Sequence, residues 1–206
     1  MQIEHGIRSI LSIPLAYRLF QSAAGATATR RWLVREAWRV TPGMRVVDIG
    51  CGPGDVLEDL PDVHYVGVDI SSQYIARAKQ QFGAKGKFFT GTSAILRSNT
   101  FAANADLVIC TGVLHHIDDS TARQLLADAL ATLKPGGRFV GLEPTYLRHQ
   151  SRLSKWIISK DRGQCIRDES SWRELADAAG FSHLRVSVLT AMLRLPYTHI
   201  LIEGVK

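Results

Sequence analysis

Two stretches of this sequence carry residue types and spacings that could do chemistry. The first is Val46-Val47-Asp48-Ile49-Gly50-Cys51-Gly52-Pro53-Gly54, an apolar run that enters a loop with glycine at every second position. Glycine permits a tight turn and lets a ligand approach the backbone without meeting a Cβ. A helix opening near Gly54 would add unpaired N–H groups for a polar ligand. Asp69 closes the next apolar run, Val66-Gly67-Val68-Asp69-Ile70, 19 residues after Gly50. An acid at the tip of a second strand can accept hydrogen bonds from both hydroxyls of a ribose. The second stretch is Leu114-His115-His116-Ile117-Asp118-Asp119. An unperturbed imidazole titrates near 6.5, which suits proton transfer at neutral pH. Four ligands as crowded as His115, His116, Asp118 and Asp119 rarely converge on one ion, so no metal is expected.

The glycine loop and Asp69 together point to a nucleoside-containing ligand, either a dinucleotide or S-adenosylmethionine. The dinucleotide fingerprint G-x-G-x-x-G is not met, because position 55 is Asp and the order is G-x-G-x-G. Carboxylates at both margins of the loop would repel a pyrophosphate and suit an α-ammonium group.

These residues need elements to hold them. Short apolar runs recur at Arg45–Ile49, Tyr65–Asp69, Lys87–Phe89, Asp106–Cys110 and Arg138–Leu142, and each but the last leads into turn residues and a helical stretch. The clearest helices are Ser72–Phe82 and Ser120–Leu133. Apolar runs without alternation indicate strands covered on both faces, and strand–helix–strand repetition indicates a parallel sheet. Ahead of this core, residues 7–21 have helical spacing broken by Pro14, and Thr29 to Val40 reads as a helix ended by Thr41-Pro42-Gly43. After Pro144, residues 147–160 and 169–179 look helical, 183–190 and 197–203 look like strands, and 191–196 could join them.

With Val46–Gly54, Gly67–Ser71, Asp106–Asp119 and Leu133–Glu143 in this order, the chain resembles the class I S-adenosylmethionine-dependent methyltransferases. The turn Leu133-Lys134-Pro135-Gly136-Gly137-Arg138-Phe139 is a further hallmark. The resemblance covers about half the chain. It implies a Rossmann-like three-layer α/β sandwich with a seven-stranded, mostly parallel sheet whose last strand, Thr198–Glu203, is antiparallel. It implies one domain over residues 1–206: a helical cap at 1–41, a cofactor core at 42–146, a helical lid at 147–180 and closing strands at 181–206. S-adenosylmethionine is the implied cofactor and S-adenosylhomocysteine its product. Asp48, Gly50 and Gly52 would line the methionine end, Asp69 would hold the ribose, and Ile70 would pack on adenine. Where relatives carry an acid after the third strand, this chain offers Thr92 or Ser93, weaker acceptors than a carboxylate. Thr111 and Leu114 would also face the cofactor, and Arg30 or Arg31 could reach its carboxylate.

Methyl transfer from a sulfonium needs alignment above all, so a base is optional. His115 and His116 are the candidate catalytic residues, and Tyr17, Glu143 and Tyr146 the candidate acceptor contacts. Cys110-Thr111-Gly112-Val113 stands where nucleic-acid amino methyltransferases often carry Asn/Asp-Pro-Pro-Tyr/Phe, which makes nucleic acid an unlikely partner. The implied acceptor is a small or medium molecule, through oxygen or nitrogen and less readily carbon. Three alternatives remain at this point: RNA or protein as the acceptor, a non-catalytic cofactor-binding subunit, and a nicotinamide-dependent oxidoreductase.

Composition sets outer bounds. The 206 residues are 46% hydrophobic and 21% charged, which excludes collagen-like, disordered and disulfide-scaffold chains. A net charge of +6 permits an anionic partner. Arg148, His149, Arg152, Lys155, Lys160, Arg162 and Arg167 gather in one segment with Trp156, Ile157 and Ile158. That segment could form a lid over an anionic acceptor or touch an acidic membrane surface. Cys51, Cys110 and Cys165 form neither a zinc pattern nor a disulfide framework, so a reducing, cytoplasmic setting is expected. Oligomeric state has no sequence signature here.

Overall fold

A computed structural model describes residues 26–161, 163–190, 192 and 196–206. Tyr17, Arg162, the two short helices expected over 7–21 and most of the 191–196 connection lie outside the described residues.

Seven strands form one sheet: β1 (Arg45–Ile49), β2 (His64–Asp69), β3 (Gly86–Thr90), β4 (Ala105–Thr111), β5 (Leu133–Pro144), β6 (Ser182–Leu189) and β7 (His199–Val205). Their spatial order is β3-β2-β1-β4-β5-β7-β6. The first five pair in parallel, while β7 is antiparallel to both β5 and β6. Five α-helices are described: α1 (Ala26–Trp32), α2 (Ser72–Phe82), α3 (Asp119–Thr132), α4 (Arg152–Ser159) and α5 (Glu169–Asp177). This is the Rossmann-like arrangement the sequence implied. Among the described residues no helix is long and apolar enough to cross a membrane.

Each strand sends alternate side chains to opposite layers. Val47 and Ile49 of β1 and Val108 and Cys110 of β4 pack against Leu125, Leu126 and Ala129 of α3 and Trp172 of α5. Val46, Leu107 and Ile109 face the other way, onto Leu33, Val34, Ala37, Trp38 and the α2 residues Ile75, Ala78 and Phe82. Both faces being covered explains the near-continuous apolar strands.

Two of the expected helices are replaced by tighter or wider turns. After β1 the chain makes only a 3-10 turn, Asp55–Glu58, which begins from Gly54 at φ 79°. Pro61 lies too close behind to allow a longer helix. Ser93–Ser98 after β3 is likewise 3-10, and Leu33–Ala37 continues α1 as a π-helical stretch.

The order reversal falls between β1 and β4, since β2 and β3 lie to one side of β1 and β4 and β5 to the other. In open α/β sheets, ligands bind at the carboxyl ends of the strands at this switch point. Asp48, Asp69, Thr111 and Glu143 all lie at or beside those ends.

Candidate active site

At the β1–β2 side, Gly50 and Gly52 take φ of +81° and +53°. A Cβ on Gly50 would come within 2.2 Å of Val113 Cγ2, whereas one on Gly52 would project into open space. At Gly52 the backbone is therefore open to close approach from outside. The loop amides are turned inward: Gly50 and Cys51 donate to the Val68 carbonyl, Gly54 to the Cys51 carbonyl, and Gly52 to Asp69 Oδ2 at 2.9 Å. The expectation that these amides, backed by a helix N-terminus, hold the ligand is thus corrected. They fix the bend, and the bend supplies shape.

Asp69 also accepts from the Ser71 amide at 2.8 Å, so backbone donors on both oxygens lock its carboxylate in one orientation. A carboxylate has about four acceptor sites, which leaves capacity for a diol. Beside it Ile70 is 77% exposed, an apolar side chain with room for a flat ring. Asp48 is buried and accepts from the Tyr65 hydroxyl at 2.7 Å. Burial pushes its carboxyl up to about 7, with the Tyr65 bond opposing and Asp69 adding to the rise.

Two expected contacts are committed elsewhere. Ser93 is buried and donates its hydroxyl to Asp128 at 2.7 Å, which leaves Thr92 as the exposed hydroxyl. Leu114 is fully buried in the core with α3, so its side chain does not face the cofactor. Thr111 is exposed at the end of β4, and Val113, half-buried against Gly50, is a wall that sequence reasoning passed over. Arg30 and Arg31 are paired with Asp59, and Arg30 also with Glu58, so neither arginine is offered to a cofactor carboxylate.

The β4–β5 side is assembled from distant segments. Glu143 is fully buried. It accepts from the amides of Val113 (3.0 Å), Leu114 (2.9 Å) and His115 (3.3 Å), and from His115 Nδ1 at 2.6 Å. An acid ending an apolar strand needs such donors to be buried at all. Glu143 therefore builds the loop after β4, and the expectation that it touches the acceptor is corrected.

His115 is buried too, and its Nε2 lies 3.0 Å from Asp161 Oδ1. Burial alone would depress its pKa, but the hydrogen bonds to Asp161 and Glu143 prevail and push it up to about 9. With a carboxylate on each ring nitrogen, both nitrogens donate. Both ring nitrogens of His115 are thus engaged by carboxylates, unlike the free proton acceptor expected from the sequence. His116 stacks beside it, ring centroids 4.0 Å apart, and is half-buried.

Asp161 accepts in turn from the Tyr197 hydroxyl (2.6 Å) and the Gly163 amide (2.8 Å). Burial opposes ionisation of Asp161, but these donors and His115 outweigh it and hold its carboxyl well below the usual range.

Asp161 and residues 163–167 lie along the loop after β4. The Cys165 amide donates to the His115 carbonyl at 2.9 Å. Arg167 is buried and donates to the carbonyls of Leu114 (2.8 Å), Ile117 (2.9 Å) and Cys165 (3.1 Å), and it also pairs with Asp119. Arg167 therefore leaves the basic face assigned to it and faces inward. A Cβ on Gly163 would come within 2.0 Å of His115 Cδ2, so only glycine lets the segment sit this close. Tyr146, half-buried, donates its amide to the Arg167 carbonyl at the edge of the same layer. His199 has a buried Nδ1 without a hydrogen-bond partner among the described residues, and burial pushes its pKa down to about 4.

Asp161, Tyr197 and His199 were not singled out in the sequence. The one local signal was Asp161-Arg162-Gly163, an Asp-x-Gly turn interrupting a basic helical stretch.

Residues 22–186 match the profile of a methyltransferase domain family. Over 171 residues the chain is 28% identical to phosphoethanolamine N-methyltransferase 1 of Arabidopsis thaliana, covering 79% of this chain and 33% of that protein. Over 96 residues it is 34% identical to trans-aconitate 2-methyltransferase of Azoarcus sp., covering 45% of this chain and 36% of that protein. The chain spans about a third of the length of the curated relatives it matches. A solved S-adenosylmethionine-dependent methyltransferase from Archaeoglobus fulgidus superposes with a TM-score of 0.68 at 18% identity, over 92% of this chain and 99% of that one. Human N-acetylserotonin methyltransferase, solved with S-adenosylmethionine, gives 0.64 at 21% identity, over 98% of this chain and 57% of that one. At such identities these structures speak for the fold alone. The open backbone at Gly52, the oriented carboxylate of Asp69 and the exposed Ile70 fit S-adenosylmethionine as cofactor. The profile match over more than half the sequence then assigns the chain to its family, that of the S-adenosylmethionine-dependent methyltransferase domains.

Proposed function

We propose that this chain transfers a methyl group from S-adenosylmethionine to an oxygen or nitrogen atom of a small or medium, anionic acceptor. The observation that carries the reading is the fastening of Asp161 and residues 163–167 onto the loop after β4 through His115, Cys165 and Arg167. That layer packs over the loop after β4, which supports an acceptor of limited size on this side of the switch point.

The cofactor, when bound, supplies a methyl already activated on a sulfonium. The chain's own residues bind and orient. Asp69 accepts from the ribose hydroxyls, Ile70 packs on adenine, and Thr92 offers a hydroxyl to the base. Asp48, Gly50 and Gly52 border the methionine end, with Thr111 and Val113 as the adjoining wall. His116 and Tyr146 border the acceptor. Glu143 and His115 act one layer further out, holding the backbone of residues 113–115 in place.

An anionic acceptor is supported by the exposed Arg148, His149, Arg152, Lys155 and Lys160 on the cap. The names of the phosphoethanolamine and trans-aconitate relatives support it too, since both substrates carry negative groups. In this reading 1–206 is one domain with 1–41 and 147–180 as its caps. The free thiols Cys51, Cys110 and Cys165 suit a cytoplasmic setting. The test is release of S-adenosylhomocysteine from the purified chain with a panel of phosphorylated amines, polycarboxylates and their neutral counterparts. Turnover with the anionic members is the expected result; turnover confined to RNA or protein overturns the reading.

A further inference from the structure

We propose that His115, His116 and Asp161 form a binding site for one divalent transition ion of the zinc or cobalt type. The ligand atoms of these three residues lie within 4.8 Å of one another. Ligand atoms around a tetrahedral ion with ~2.1 Å bonds stand roughly 3.4 Å apart. His115 Nε2 and Asp161 Oδ1, at 3.0 Å, need only open slightly, while His116 closes in.

The surroundings carry the argument further than the three ligands do. A metal-bound histidine almost always donates its other ring nitrogen to a carboxylate or carbonyl, which fixes its orientation. Here Glu143 Oε2 is 2.6 Å from His115 Nδ1, leaving Nε2 as the outward ligand atom. Asp161 is held in the same manner by the Tyr197 hydroxyl on Oδ2 and the Gly163 amide on Oδ1. Two of the three ligands thus have outer partners in place. Asp118 and Asp119, the acids adjacent in sequence, are used otherwise: Asp118 caps α3 through the Thr121 amide, and Asp119 pairs with Arg167. Asp161 takes the place the sequence had offered to them.

Two imidazoles and one carboxylate suit zinc, cobalt, nickel or iron and disfavour magnesium and calcium, which prefer all-oxygen sites. Three protein ligands leave a further position for water or an acceptor oxygen. The site does not depend on the acceptor proposed above, and metal uptake is read without turnover.

The test uses the full, untagged chain, stripped with a chelator and titrated with Co2+. One Co2+ per chain is expected, with a visible absorption band that Zn2+ abolishes and Mg2+ leaves unchanged. Asp161→Asn and His116→Gln should each weaken uptake tenfold to a hundredfold, on the order seen when a metal site loses a supporting group. His116 is half-buried, so its variant is the one expected to keep the fold, checked by the near-ultraviolet circular dichroism spectrum. No band from the wild-type chain with Co2+ in excess overturns the proposal. So does a band that survives both substitutions, because it places the ion elsewhere.

Discussion

The two sides of the switch point are built in different ways. On the β1–β2 side most of what shapes the site comes from one short motif and one strand tip, Asp48 to Gly54 and then Asp69 and Ile70, with Val113 as an added wall. On the β4–β5 side the same job is shared by residues 113–119, Glu143, Asp161, residues 163–167 and Tyr197, which meet only in the folded chain. The first side is rigid because its loop amides are satisfied locally. The second is rigid because charged groups are buried against one another, an arrangement that fails badly when one partner is removed. A local design leaves a recognisable sequence pattern, and a distributed one does not.

The comparison breaks most visibly at Asp69. Asp69→Ala removes the acceptor for the ribose diol and the anchor of the Gly52 amide together. Two charge-assisted hydrogen bonds at about 1.5–3 kcal/mol each correspond to a loss of about 100-fold or more in S-adenosylhomocysteine affinity, read by calorimetry. Co2+ uptake on the other side should be untouched. If affinity stays within a few-fold of wild type, the cofactor assignment of this side is wrong.

Arg167→Met strikes the distributed side. It strands the carbonyls of Leu114, Ile117 and Cys165, at about 1 kcal/mol or more apiece, so a loss of about 3 kcal/mol in unfolding free energy is expected in urea titrations. A variant as stable as wild type would mean that the segment is not fastened as described.

Gly163→Ala is a gentler probe of the same layer. The added methyl meets His115 Cδ2 at 2.0 Å and the His115 carbonyl at 2.7 Å, and the overlap should cost about 1–3 kcal/mol. Because the clash falls beside the acceptor, KM for the acceptor should rise while S-adenosylhomocysteine affinity holds. Equal losses on both sides would contradict the division.

Asp48 is probed by pH rather than by the loss of a contact. Its carboxyl titrates near 7 when folded against an ordinary value of 3.8, so the folded chain holds that proton more tightly. Burial of Asp48 therefore costs nothing below pH 4 and destabilises the chain progressively as the pH rises toward 7. Asp48→Asn should melt above wild type at pH 8, and the difference should vanish near pH 4. Wild-type affinity for S-adenosylhomocysteine, with its α-ammonium, should climb between pH 6 and 8 and be flat in the variant. A wild-type affinity independent of pH would remove Asp48 from the binding account.

What could be read in advance follows the same division. Arg45–Ile49 and Ser72–Phe82 appear with the bounds their apolar spacing gave, β2 begins one residue earlier, and β4 is one residue longer at each end. Periodicity and glycine placement are local properties, so they survive translation into structure. The helix after Gly54 failed because Pro61 and the left-handed Gly54 limit the segment to one turn. Ser93, Leu114 and Glu143 failed for a different reason. Each has the right type at the right position, but Asp128, the α3 layer and the amides of 113–115 claim them, and those competitors are 28 residues or more away for Ser93 and Glu143. Asp161 was hidden inside a run of basic residues, where composition pointed to a basic lid or membrane-touching surface.

Val113 belongs to both halves. Its methyl occupies the space that any side chain at position 50 would need, and its amide hangs from Glu143. In the proposed reading Val113 would stand between the donor and acceptor sides. Trimming or enlarging that side chain would be felt on both sides at once, so kinetic changes produced at position 113 would be shared between donor and acceptor.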